Sequence, residues 1–186
     1  MPAIQDAKIL ILATNGFEQS ELETPRDSLR ERGAHVDIVA PEGKEIRGWD
    51  HEDWGQAVPV DRLLGDAAAT DYDALILPGG QINPDVLRLD PDAIALIRDF
   101  AAQGKVIAAI CHAPWLLIEA GLVKGRRMTA YPSIRTDLGN AGAEVVDAPV
   151  VVANGIITSR DPEDLDQFVD KIVEEVEEGR HARAAA

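Results

Sequence analysis

Three short stretches of this chain are apolar at nearly every position: Lys8-Ile-Leu-Ile-Leu-Ala13, Ala74-Leu-Ile-Leu77 and Val106-Ile-Ala-Ala-Ile110. A strand apolar on both sides of its pleat must be covered on both faces. Helix-spaced segments separate these runs, and this alternation of strand and helix dictates an α/β architecture: a mostly parallel sheet with helices on each face.

The flanking segments fit that plan. Residues 18–32 carry helical spacing at Leu22 and Leu29 and end at Gly33, with Pro25 predicting a late start or a kink. Residues 35–40 read as the next strand. Residues 41–61, with three glycines and two tryptophans, read as a hairpin or an irregular excursion. Asp90-Pro91 has the form of an N-cap with proline at the first helical position; Ile94, Ile97 and Phe100 then share a face, and Gly104 ends the helix. Residues 114–119 form a short helix closed by Gly121, and residues 133–140 read as helical. Residues 150–158 read as a tight hairpin around Asn154-Gly155, a pair suited to a type I′ turn. The last helix is capped by Asp161, opened by Pro162, marked by Leu165, Phe168, Val169, Ile172, Val173 and Val176, and stopped by Gly179. The 186 residues suit one domain, 1–186, with residues 180–186 expected as a flexible tail.

Charge and cysteine usage narrow the function. Asp and Glu number 33 against 18 Lys and Arg, a net charge of -15, which argues against nucleic acid and against an anionic membrane surface as partners. A single cysteine excludes an intrachain disulfide framework. The first seven residues lack the apolar run of a signal peptide, and no apolar window is long enough to span a bilayer. A soluble, cytoplasmic protein is the expectation.

The one cysteine, Cys111, falls between a buried strand and a short helix that begins at Pro114. Ligands bind at the carboxyl ends of strands in open α/β sheets. A thiol before a helix meets unpaired backbone N–H groups that favour the thiolate, so its pKa is expected below the free-thiol value. Pro78-Gly79-Gly80 ends another strand; its N–H groups, with that of His112, could form an oxyanion site. His112 adjoins the cysteine, and only a sharp turn would bring the two side chains together. Glu18, after the first strand, reads equally well as a carboxyl against the thiol or as a surface residue at a helix start. Trp49 and Trp54 could line a pocket or pack the excursion on the sheet. His51-Glu52-Asp53 are consecutive and do not converge on one ion, so no metal site is expected, and no nucleotide-binding fingerprint appears.

The stretch Ala108-Ala-Ile-Cys111-His112-Ala113-Pro114, with Leu75-Ile-Leu-Pro-Gly-Gly80 upstream, resembles the ThiJ/PfpI superfamily, which belongs to the class I glutamine amidotransferase-like group. It is most similar to the PfpI-type intracellular cysteine peptidases and stress proteins. The likeness extends over Asn15-Gly-Phe-Glu18, residues 48–54, Gly104-Lys105, Met128-Thr129 and Thr158-Ser-Arg160. It implies a flavodoxin-like three-layer α/β/α sandwich and a homo-oligomer with the active site at the interface. It implies Cys111 as nucleophile on an elbow, Glu18 as the carboxyl bonded to the thiol, and the N–H groups of Gly80 and His112 at the oxyanion site. It implies that His112 is oriented by an acidic residue of a neighbouring subunit, here Asp85 beside Pro84. The family usually has Glu there and Gly in place of Ala113, so a shorter reach from Asp85 and a Cβ that narrows the site or shifts the turn are expected. Residues 159–164 lack the His-x-Glu pair of a glutaminase. The expected function is cofactor-free hydrolysis at a carbonyl carbon, of a peptide or a glycated group, in a response to stress. The alternative is a non-enzymatic redox sensor or chaperone using an oxidisable Cys111.

Overall fold

Each apolar run becomes a central strand. The computed structural model describes residues 2–179; the expected tail at 180–186 lies outside the described residues. In chain order the first elements are β1 (Lys8–Leu12), β2 (Phe17–Glu18), α1 (Gln19–Glu31), β3 (His35–Ala40), β4 (Glu45–Asp50), β5 (Asp53–Pro59) and β6 (Arg62–Leu63). Next come β7 (Ala74–Leu77), α2 (Ile82–Leu87), α3 (Pro91–Ala102), β8 (Val106–Ile110), α4 (Pro114–Glu119) and β9 (Arg127–Met128). The last are α5 (Arg135–Asn140), β10 (Glu144–Val145), β11 (Val150–Ala153), β12 (Ile156–Ser159) and α6 (Leu165–Glu178).

Seven strands form one sheet in the order β11-β12-β8-β7-β1-β3-β6. All its pairings are parallel except β11 with β12 at the edge. The chain adds β3 on one side of β1 and β7 on the other, so the sheet's direction of growth reverses between β1 and β7. That switch point opens a crevice at the carboxyl ends of the strands.

Alternation along the pleat sends Leu10, Leu12, Leu75, Leu77 and Ile107 to one face, where α3, α4 and α5 pack through Ile97, Phe100, Leu116 and Leu138. Ile9, Ile11, Ile76, Ala108 and Ile110 go to the other, against Leu22 and Leu29 of α1 and Phe168 and Ile172 of α6. Fully burying one such Leu, Ile or Phe side chain contributes about 1.5–3 kcal/mol. The two faces together make the three-layer, flavodoxin-like sandwich.

The local signals act largely as the sequence indicates. Asp90 accepts hydrogen bonds from the N–H groups of Asp92 and Ala93. Asn154 and Gly155 both have positive φ, as a type I′ turn requires. Residues 45–59 form an antiparallel hairpin with a register shift between Arg47 and Trp49, and β2 pairs with its first strand. Several details differ, among them the two-residue strands β2, β6, β9 and β10, which the sequence reading lacks. Pro25 lies inside α1, which starts at Gln19 rather than late. A 3-10 turn, Pro162–Asp164, precedes α6. α2 has no counterpart in the sequence reading, because Asn83-Pro84 looks like a turn; instead Asn83 is buried and ties β1 to the Gly-Gly turn, accepting from Thr14 N–H and donating to the Pro78 carbonyl. Among the described residues no helix is long and apolar enough to cross a membrane.

Candidate active site

The carboxyl ends of β1, β7 and β8 converge on Cys111. Strand β8 ends at Ile110, and Cys111 takes φ 63°, a left-handed conformation rare for a side-chain-bearing residue. The turn is held from both sides: Cys111 N–H donates to the Ser159 carbonyl at 3.1 Å, and the Cys111 carbonyl accepts from Tyr131 N–H at 3.0 Å. This sharp elbow does what sequence adjacency alone would not. It places the Cys111 sulfur 3.1 Å from Nδ1 of His112. The other ring nitrogen, Nε2, lies 3.0 Å from the hydroxyl of Ser133. The imidazole stacks on Tyr131, with centroids 4.8 Å apart, and meets the edge of Trp115. Burial pushes the His112 pKa down, which favours the neutral imidazole.

The carboxyl against the thiol is Glu21, not Glu18. Glu21 lies in the first turn of α1, fully buried, and its Oε2 accepts the Gly79 N–H at 2.8 Å. Its Oε1 is buried without a hydrogen-bond partner of good geometry, and the carboxyl interacts with the Cys111 thiol. Burial is the main cause that pushes the Glu21 pKa up to about 8; the Gly79 N–H works against it. Glu21 therefore keeps its proton at neutral pH. Glu18, one helical turn earlier, is half-buried and lines the cleft, and burial raises its pKa too, with His51 opposing and Asp50 adding to the rise.

The Gly-Gly turn divides its work. The Gly79 N–H is taken by Glu21, so Gly79 supplies no oxyanion donor. Its role is steric: a Cβ there would stand 2.6 Å from Glu21 Oε2, 2.7 Å from Cys111 Cβ and 2.8 Å from the Ile110 carbonyl. The N–H groups of Gly80 and His112 interact with the sulfur and lower the thiol pKa. Burial outweighs them and pushes Cys111 up, contrary to the expected low value. Burial thus favours a neutral thiol beside a neutral imidazole.

Around this core lies an open cleft of about 560 Å³, lined among others by Glu18, Trp49, His51, Ile82, Cys111 and Tyr131. Trp49 contributes to that wall and meets Trp54 edge to face at 5.6 Å, so of the two tryptophans the first faces the cleft. Asp85 is exposed on α2 and is not among the residues lining the cleft. Ala113 also stands outside it: the residue is buried in the apolar layer with Leu116 and Leu117 and has φ -57°, so its methyl neither narrows the cleft nor strains the turn. His51, Glu52 and Asp53 sit at the tip of the β4–β5 hairpin, and among the described residues no group of three or more His, Cys, Asp or Glu side chains is placed to hold a metal ion.

Sequence reasoning missed Glu21 and Ser133. A signal existed for Glu21, which shares the buried stripe of Pro25 and Leu29 at four-residue spacing. Ser133 reaches His112 from a loop 21 residues away and left no local signal.

Known proteins resemble the chain over most of its length. The chain is 41% identical over 163 residues to protein/nucleic acid deglycase 2 of Escherichia coli, covering 87% of this chain and 92% of the relative. It is 40% identical over 163 residues to general stress protein 18 of Bacillus subtilis, again covering 87% and 92%. Its fold superposes on the crystal structure of DJ-1beta from Drosophila melanogaster with a TM-score of 0.82, at 30% identity and covering 93% and 95% of the two chains. The DJ-1/PfpI family model matches residues 7–175, and the chain belongs to that family.

Proposed function

We propose that the chain is a cysteine-dependent hydrolase of the deglycase kind, acting in the cytoplasm on small carbonyl adducts of amines or on peptides. The observation that carries this reading is the strained elbow that sets the Cys111 sulfur 3.1 Å from His112 Nδ1. Nδ1 takes the thiol proton as the sulfur adds to a carbonyl carbon, and the carbonyl electron pair moves to oxygen. The N–H groups of Gly80 and His112, which interact with the sulfur, are the donors this reading assigns to that oxyanion. Where the amine sits on the attacked carbon, the oxyanion re-forms the carbonyl as the amine departs with the proton from His112, leaving a thioester on Cys111. Water then gives a proton to Nδ1 and attacks that thioester, and the acid leaves as the proton returns to the Cys111 sulfur. Glu21, protonated, keeps a second negative charge away from the sulfur. The names of the relatives support deglycase chemistry over peptidase chemistry, as does a cleft sized for a small adduct.

The assembly that goes with this proposal is a homo-oligomer formed through α2, where Ile82, Val86 and nearby Leu89 are exposed around Asp85. Sedimentation of the purified chain tests it, and a monomer at all concentrations would refute it. The hydrolase reading is tested with methylglyoxal-modified amino acids and peptides as substrates: turnover is expected, and Cys111→Ser abolishes it. A second reading, a thiol sensor, is favoured by one feature, the protonated Glu21 beside the sulfur, which can donate to a sulfinate. Peroxide oxidation of Cys111 without turnover of any adduct would select it.

A further inference from the structure

We infer that Ser133 is the residue that orients His112, so that the thiol–imidazole unit is complete within one chain; this rests on the hydrolase reading above. The observation is the pair of contacts on one ring, Nδ1 to the Cys111 sulfur at 3.1 Å and Nε2 to the Ser133 hydroxyl at 3.0 Å. A neutral imidazole carries one proton, and the two nitrogens divide donor and acceptor roles between them. For Nδ1 to accept the thiol proton, Nε2 must carry the N–H, and that N–H then donates to Ser133 Oγ. The serine hydroxyl holds the tautomer that the reaction needs.

Ser133 is held in place by the site it serves. It lies in the 3-10 turn Pro132–Ile134, directly after Tyr131. Tyr131 N–H bonds the carbonyl of Cys111 itself, and the Tyr131 ring covers the imidazole. On the other side Arg135 donates to the Ala130 carbonyl and pairs with Asp147 at 2.9 Å, which also pairs with Arg160 at 2.9 Å. The loop is thus pinned to the elbow at one end and to the β12 end of the sheet at the other.

A hydroxyl has consequences that a carboxylate would not. Once Nδ1 is protonated, the imidazolium is stabilised by a neutral acceptor only, so its pKa stays low and it gives the proton back readily. Asp85, exposed on α2, would have to reach the same nitrogen from another copy and displace Ser133. The titratable groups facing His112 and its cleft are Cys111 on the elbow, Tyr131 on the serine loop, Glu18 and Glu21 from β2 and α1, and His51 from the β4–β5 turn. Any pH profile is read against these.

Two measurements on the full-length chain test the assignment, one of them independent of turnover. Nitrogen-15 NMR of the imidazole is expected to show the Nε2–H tautomer for His112 in the wild type and a mixture in Ser133→Ala. Finding the Nδ1–H tautomer in the wild type overturns the proposal whether or not any substrate is known. In kinetics, Ser133→Ala is expected to lower kcat/KM about tenfold or more, with Ser133→Thr restoring it and Ser133→Asp moving the acid limb of the profile to higher pH. Loss of activity and tautomer in Asp85→Ala, with Ser133→Ala unaffected in both, would place the orienting group on a second subunit instead. If the tautomer is as expected and no adduct or peptide is turned over, the hydrolase reading fails while Ser133 keeps its place beside His112.

Discussion

Two tight turns in this molecule force a non-glycine residue into positive φ at the end of a strand of the main sheet, and they do so in opposite ways. At the β11–β12 hairpin the residue is Asn154, φ 52°, exposed and followed by Gly155, φ 74°. Asparagine tolerates this region and the pair matches the turn, so the conformation is local and inexpensive. At the elbow the residue is Cys111, φ 63°, whose side chain has no such tolerance. There the surroundings impose the geometry: backbone bonds to Ser159 and Tyr131, a glycine where a Cβ would collide, and a carboxylic acid buried with one oxygen unpartnered. The hairpin turn is chosen by its residues, whereas the elbow is imposed on its residue. Unfavourable terms gather where the thiol must be presented, and the rest of the fold carries them.

If the elbow bears those terms, removing one should stabilise the protein and disarm it. The largest effect is expected at Glu21. Its pKa is about 8 in the folded chain against 4.5 for the free group, so between those values the folded state binds the extra proton and stability falls as pH rises. The loss runs at about 1.4 kcal/mol per unit across that window, giving an order-of-magnitude total of several kcal/mol. Glu21→Gln keeps the acceptor for Gly79 N–H and does not titrate. Denaturant unfolding at pH 5 and pH 8 should show a steep decline for the wild type and a flat response for the variant, which becomes the more stable protein at pH 8. Parallel curves for the two would mean that Glu21 is ionised in the folded site.

Closing the gap beside the thiol should do the reverse. Gly79→Ala inserts a Cβ within 2.8 Å of three rigid or buried groups. Overpacking of this kind costs about 1–3 kcal/mol, and the elbow should shift enough to separate sulfur from imidazole. Gly139→Ala is the matched control, since a Cβ in α5 would meet only Val145 at 4.0 Å; it should stabilise by about 0.5–1 kcal/mol. Thermal unfolding of the two variants checks the contrast, and equal effects would show that the Gly79 contacts relax freely.

How far the sequence discloses each region follows from what holds it. The central strands are legible because Ile9, Leu75 and Ile107 sit in runs whose burial on both faces is written into the residues themselves. The Asn154-Gly155 turn is legible for the same reason: its conformation belongs to its own side chains. The position of Cys111 at a strand end could be read, but its thiol pKa could not. The helix terminus and N–H donors that suggest a lowered value are present, and burial, a tertiary quantity, exceeds them. Glu18 could be read as a candidate for the thiol and Glu21 was missed, because which acid near the start of α1 meets the sulfur depends on how the helix packs on the sheet, a tertiary quantity. Glu21 was nonetheless marked, as an acid on the stripe of Pro25 and Leu29. Ser133 was unmarked, because its contact depends on how the loop after β9 folds back over the elbow. β9 and β10, two residues each, are too short to carry a period.

The smallest effects are the most direct measure of the contrast between the turns. A left-handed conformation costs an ordinary L-residue roughly 1–2 kcal/mol, and glycine almost nothing. Cys111→Gly and Cys111→Ala both remove the thiol, both leave similar space, and both should be inactive; they differ chiefly in tolerance of φ 63°. Their difference in unfolding free energy therefore reads the strain held at the elbow, with Gly expected above Ala by about 1 kcal/mol or more. The same pair at the hairpin, Asn154→Gly and Asn154→Ala, should span a similar gap, because alanine is penalised equally there. The wild-type residue breaks the symmetry. Asn154 should lie close to its glycine variant, within about 0.5 kcal/mol, since asparagine suits the turn. Cys111 should lie near its alanine variant once its buried contacts are allowed for, since cysteine does not. A wild-type Cys111 as stable as Cys111→Gly would show that packing around the sulfur offsets the backbone strain, and the elbow would then be as well matched to its residue as the hairpin is.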